Sequence, residues 1–126
     1  MNKLECKTYP SGTKEWLRNG VRHREEGPAY EEPNGIKEWY IDGKRHRKGG
    51  PAAELPDGTK WWYLDGVLHR EDGPSYENPN GDKGWWLNGE NIHPETLVDL
   101  WLERGVPCWY DEANETLNFV ENHEQA

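Results

Sequence analysis

Three histidine–arginine pairs, His23-Arg24, His46-Arg47 and His69-Arg70, are the residues of this chain best suited to chemistry. A histidine can exchange a proton near neutral pH, and an arginine beside it can clamp a phosphate or carboxylate. The second pair lies in a basic stretch, Lys44 to Lys48 (KRHRK), within a chain of 126 residues and net charge −9. Acid–base catalysis, an anion clamp and a metal site are the chemistries to weigh first.

The spacing of the pairs decides among them. They recur every 23 residues, in step with Trp16, Trp39, Trp62 and Trp85 and with Gly12, Gly35, Gly58 and Gly81. Pro10, Pro33, Pro56 and Pro79 keep the same interval. The unit reads P-x-G-x-K-x-W-x-x-[ND]-G-x-x-H-R-x-x-G-P-[AS]-x-E, three times in full and begun a fourth time. A fixed period of this length is the signature of stacked repeats. A catalytic residue is needed once, whereas a side chain present in every row serves something every row needs. If each unit adds two strands about 4.8 Å apart, equivalent histidines lie roughly 10 Å from each other. Zinc ligands lie about 2 Å from their metal, so no metal site is expected. An arginine plane can instead stack on a neighbouring tryptophan while its stem packs along the sheet. The His-Arg rows therefore read first as structure, and second as an alternative ligand-binding set.

The elements that position them are strands. Asn19-Gly20, Asp42-Gly43, Asp65-Gly66 and Asn88-Gly89 are hairpin dipeptides, because a type I′ turn needs positive φ at both central residues. Pro33-Asn34-Gly35 and its equivalents supply a second turn per unit. The expected fold is all-β: 23-residue antiparallel hairpin repeats in a meander, stacked as a single-sheet solenoid over residues 1–92. With 33% hydrophobic residues, eight Trp and six Tyr, a few large aromatics must carry most of the burial.

The G-x-x-H-R-x-x-G-P-A element following a W-Y-x-[ND]-G hairpin resembles the variant MORN repeats of bacterial and phage-encoded proteins, over about residues 9–93. Where ordinary MORN units carry His-Gly this chain has His-Arg, so a lipid-binding role does not transfer. The resemblance implies a binding scaffold, of which some relatives are antitoxin-like or mobile-element proteins.

Departures from the repeat are where function is sought, since the scaffold does not demand them. The column before the repeat tryptophan holds Glu15, Glu38, Trp61 and Gly84. Strand alternation puts it on one face with Leu17, Tyr40, Tyr63 and Trp86. Tyr40, Trp61, Tyr63 and Trp86 then form an aromatic strip, the expected partner-binding surface. The competing reading has Trp61 filling the space beside Gly84. Lys48-Gly49 replaces the acids of the flanking rows, and the basic cluster is expected to pair with those acids.

Beyond residue 92 the pattern stops, with an expected one-residue slip at Glu90 to His93. Residues 93–126 read as a capping segment, with a helix over 94–104 and a final hairpin. Pro94 supplies a helix start and Gly105 a stop. Residues 90–126 carry nine acids against one base, whereas residues 1–89 are nearly balanced at fifteen against fourteen. This charge disfavours nucleic-acid backbones and anionic membranes. It suits a protein partner with a basic surface, met by Glu95, Asp99 and Glu103 beside the aromatic strip.

Cys6 and Cys108 match no metal spacing, and the first ten residues hold no apolar run, so a reduced, soluble, cytoplasmic protein is expected. There is no phosphate-cradling glycine loop, zinc-protease motif or nucleophile elbow, so no cofactor and no enzymatic activity are expected. The expected function is a non-enzymatic inhibitor of another protein, in phage counter-defence or as an antitoxin-like partner. The alternative is a small-ligand or nucleotide sponge built from the Trp/Tyr and His-Arg rows.

Overall fold

The computed structural model describes residues 3–120. Its repeat elements run β1 (Leu4–Thr8), β2 (Lys14–Arg18), β3 (Val21–Arg22), β4 (Tyr30–Glu31), β5 (Lys37–Glu38), β6 (Tyr40–Ile41), β7 (Lys44–Arg45) and β8 (Ala53–Glu54). They continue through β9 (Lys60–Trp61), β10 (Tyr63–Leu64), β11 (Val67–Leu68), β12 (Tyr76–Glu77), β13 (Lys83–Gly84), β14 (Trp86–Leu87) and β15 (Glu90–Asn91). The chain ends in α1 (Pro94–Glu103) and the hairpin β16 (Cys108–Asp111) and β17 (Thr116–Phe119). The fold is mostly β, as the turn chemistry requires.

One open antiparallel sheet runs β1-β2-β4-β5-β8-β9-β12-β13, with β3 paired to β2. Later repeats split off small hairpins, β6-β7, β10-β11 and β14-β15. Each hairpin turn has the anticipated geometry: Asn19, Asp42, Asp65 and Asn88 have φ of 54°, 50°, 49° and 52°, and the glycine after each is also positive. The hairpins grip their neighbours through the second glycine. Gly43, Gly66 and Gly89 each donate their backbone N–H to the carbonyl of Arg22, Arg45 and Leu68, at 2.8 Å every time.

The small column Ala29, Ala52 and Ser75 is fully buried. Each of its carbonyls accepts from a repeat-tryptophan N–H (Trp16, Trp39, Trp62) at 2.7–2.8 Å. Side chains larger than these would keep the rows apart. Strand β1 continues the same ladder backwards: Lys7 opposes Glu15 just as Tyr30 opposes Glu38 one period later. Its sequence, LECKT, matches the unit in no column, so pairing rather than residue type ties this strand to the repeats.

The expected slip at residue 92 does not occur in the backbone. Ile92 donates to the Trp85 carbonyl at 2.9 Å, as His23, His46 and His69 donate to Trp16, Trp39 and Trp62. Isoleucine has taken the histidine position, and His93 does a different job. Its Nδ1 accepts from the Glu95 N–H, capping α1, with Pro94 in the first turn. The cap then closes the stack. Leu97 and Val98 are buried, Tyr110 meets the Trp85 ring edge-on at 5.7 Å, and Trp85 is the one repeat tryptophan that is buried. Among the described residues no helix is long and apolar enough to cross a membrane.

Candidate functional site

The three His-Arg pairs are built identically. Each arginine guanidinium carbon sits 3.9 Å above its own repeat tryptophan, Arg24 on Trp16, Arg47 on Trp39 and Arg70 on Trp62. Each donates from Nη1 to the carbonyl of the proline four residues on, at 2.9–3.1 Å. A carboxylate completes each environment: Glu31, Glu54 and Glu77 lie 3.5–3.9 Å from the same nitrogen. Tight loop glycines leave the arginines little room, since a Cβ at Gly73 would lie 2.7 Å from the Arg70 guanidinium carbon.

The histidines staple one repeat to the next. Nδ1 of His23, His46 and His69 accepts the backbone N–H of Asp42, Asp65 and Asn88, the first turn residue of the following hairpin, at 2.9–3.0 Å. Accepting there places the ring proton on Nε2, which in His23 and His69 faces Glu25 and Glu71 at 3.5 Å. The fourth row is followed by α1 rather than by a further repeat hairpin, and it has isoleucine at that position. A ring nitrogen spent on a turn amide is not free for a ligand. Among the described residues no group of three or more His, Cys, Asp or Glu is placed to hold a metal ion.

Open grooves separate the loops that carry these pairs. One of about 710 Å³ lies between the first and second loops, and one of about 530 Å³ between the second and third. Lys48 lines both. The expectation that the basic cluster pairs with the acids of rows one and three is not met. Arg45 and Arg47 turn to Glu38 and Glu54 of their own repeat, and Lys48 makes no ion pair among the described residues. Its neighbours Glu25, Glu26, Glu71 and Asp72 border the same grooves, so these are mixed in charge.

The opposite face carries a continuous cross-strand row, Lys7, Glu15, Tyr30, Glu38, Ala53, Trp61, Tyr76 and Gly84. Its first half is ionic. Arg22 donates from Nε to Glu15 at 2.7 Å and approaches Glu38 at 3.6 Å, lying 4.2 Å over the Tyr30 ring. Arg22 and Tyr9 both donate to Glu15, holding its carboxyl below the usual value, with Lys7 contributing across the strand. Glu32 accepts from the Tyr30 hydroxyl at 2.5 Å and pushes that phenol up to about 12. Arg45 reaches Glu38 at 3.6 Å between the rings of Tyr40 and Tyr63, and its Nε is buried without a hydrogen-bond partner among the described residues.

The second half of the row is aromatic and corrects the competing reading of Trp61. Gly84 is covered by Trp86, with Tyr76 standing between it and Trp61 in the ladder: a Cβ at Gly84 would fall 2.1 Å from the Trp86 ring. Trp61 stands opposite Ala53, only 6% exposed, and its ring packs on Tyr76 at 5.5 Å. A large side chain beside a small one fills the ladder at both places. Tyr40, Trp61, Tyr63 and Trp86 are all half-buried.

The expected partner surface is not brought together by direct contacts. Among the described residues, the cap's hydrogen bonds, ion pairs and ring contacts to the repeats fall on Glu71, Lys83 and Trp85. Trp101 donates its ring N–H to the Glu71 carbonyl at 2.7 Å, and Arg104 pairs with the Glu71 carboxylate at 2.9 Å, holding that carboxyl below its ordinary range. None of these contacts touches the strip. Glu95, Asp99 and Glu103 are exposed on α1, and none of their side chains makes a hydrogen bond or ion pair among the described residues. The sequence did not single out the Glu71–Trp101–Arg104 contact. An acid after His-Arg and a helix end 33 residues later carry no shared pattern.

Compared with known proteins, the chain matches no family model, no curated protein and no solved structure.

Proposed function

We propose that this chain is a non-enzymatic binding protein, a stacked-repeat solenoid whose acidic cap engages and inhibits a protein with a basic surface. The observation that carries the reading is the carboxylate stripe Glu95, Asp99 and Glu103. These residues are four apart on one helix, exposed, and without side-chain partners among the described residues. Like charges at that spacing cost the helix a few tenths of a kcal/mol per pair, so the cap gains nothing from them by itself. A basic partner recovers that cost and is steered to the surface. The repeat stack supports this reading by holding its own charges internally, with arginines on tryptophans and histidines on turn amides. The aromatic strip Tyr40, Trp61, Tyr63 and Trp86 is then a second, apolar contact for a partner large enough to reach both. The sponge reading is weaker, because the faces and donors it needs from Arg24, Arg47 and Arg70 are already engaged.

The test is capture from the native host with the wild-type chain and with Glu95→Gln/Asp99→Asn/Glu103→Gln, followed by mass spectrometry of proteins and small molecules. A basic protein retained by the wild type and lost by the triple variant, and inhibited when the purified components are mixed, supports the proposal. A nucleotide retained equally by both would overturn it.

A further inference from the structure

We propose that the free edge of β1 is a homodimer interface, in which two copies pair their Leu4–Thr8 strands antiparallel about a two-fold axis at Cys6. Four observations lead there. Strand β1 ends the sheet, and among the described residues only β2 pairs with it. It is five residues long where most strands of the sheet have two, and all five side chains are exposed. The other end of the stack is closed by the helix and hairpin, whereas this end has no cover among the described residues. An uncovered strand of this length is a template for further pairing.

The ladder shows which backbone groups are on offer. Trp16, opposite Cys6, directs its N–H to Ala29 and its carbonyl to His23, away from β1. Cys6 and Trp16 therefore form a pair without mutual hydrogen bonds, and in an antiparallel ladder such a residue aims its own N–H and C=O at the opposite edge. Leu4, Cys6 and Thr8 thus present their backbone groups outward. Two copies related by a two-fold at Cys6 exchange both hydrogen bonds there, with Cα atoms about 5.5 Å apart.

Charge selects the register and names a second copy as the occupant. With the axis at Cys6, Glu5 of one copy faces Lys7 of the other, twice, and Leu4 faces Thr8. Moved one residue either way, the axis sets Glu5 against Glu5 or Lys7 against Lys7. Neither side chain makes a hydrogen bond or ion pair among the described residues of its own chain, although Lys7 stands near Glu15. Charged residues on an edge normally repel a like strand. Here they are arranged to attract an identical one.

Sedimentation analysis of four proteins tests this. The wild type should associate reversibly to twice the 14.7 kDa chain mass. Glu5→Lys and Lys7→Glu should each weaken self-association by about tenfold or more, because two attractive cross-strand pairs become repulsive. An equimolar mixture of the two variants should recover the wild-type dimer, since every lysine then faces a glutamate. Thiol oxidation by diamide should link two wild-type chains through Cys6, and Cys6→Ser should abolish the link. Circular dichroism of each variant confirms that its fold is intact. A wild type monomeric at millimolar concentration, single variants that associate like the wild type, or a mixture that stays monomeric would each overturn the proposal.

Discussion

Replacing His23 with isoleucine separates its hydrogen bond from its packing. The ring is 4% exposed, and its Nδ1 accepts the Asp42 N–H at 2.9 Å, across the junction between two repeats. Isoleucine has similar bulk, and the fourth row already places Ile92 at this position, where no turn amide follows. The substitution should therefore remove the staple and keep most of the burial, at about 1 kcal/mol for a neutral hydrogen bond. His23→Ala adds the emptied volume and should cost about 2–3 kcal/mol. The same alanine change should cost less at His69 and least at His46, whose side chains are 10% and 18% exposed. Urea titration gives the energies, and hydrogen exchange of the Asp42 amide gives the location. That amide should lose protection in His23→Ile while Asp65 and Asn88 keep theirs. Unchanged protection at Asp42, or alanine costs unrelated to burial, would refute the staple.

Other outcomes follow from the ladder and the cap. Trp61→Glu should destabilise by about 2 kcal/mol in urea titration, because it uncovers Ala53 and removes the ring on Tyr76. Gly84→Ala should cost about 1–3 kcal/mol by driving Trp86 from its seat, seen as a shift in tryptophan fluorescence. The Glu71 carboxyl is held below its ordinary value of 4.5, first by the hydrogen bond from Arg104. Its contribution is complete above that ordinary value and is lost as the pH falls through the lower folded one. Cap docking, followed by Trp101 fluorescence, should therefore weaken on acidification in that window, and Glu71→Gln should flatten the profile.

Turn chemistry made the repeats legible. An Asn-Gly or Asp-Gly dipeptide declares positive φ at both positions, and the period places every hairpin of the repeats. Pro94 and Gly105 marked α1 for the same reason, since local backbone requirements are written in residue types. What stayed hidden depends on neighbours across the sheet. That Trp86 rather than Trp61 covers Gly84 is decided by side-chain direction along the strand. Ile92 looked like a slipped register because histidine was read as the marker of that position, whereas its role depends on a hairpin that the fourth row lacks. Strand β1 fell inside the expected stack of residues 1–92, but LECKT matches the unit in no column, so its place in the ladder comes only from its pairing with β2. Lys48 was expected to pair with flanking acids, but Arg45 and Arg47 take acids of their own repeat and Lys48 makes no ion pair among the described residues.

If the repeats are scaffold and the cap carboxylates bind, variants of the two regions must differ in affinity for the partner. Calorimetric titration of the captured partner tests it most directly, using the wild type, the Glu95→Gln/Asp99→Asn/Glu103→Gln variant and an Arg47→Ala/Arg70→Ala variant. Affinity should fall with added salt, the cap variant should lose about tenfold or more while remaining as stable as the wild type, and the arginine variant should lose stability but, while folded, bind nearly as well. Unaltered affinity in the cap variant, together with lost binding in a folded arginine variant, would contradict it.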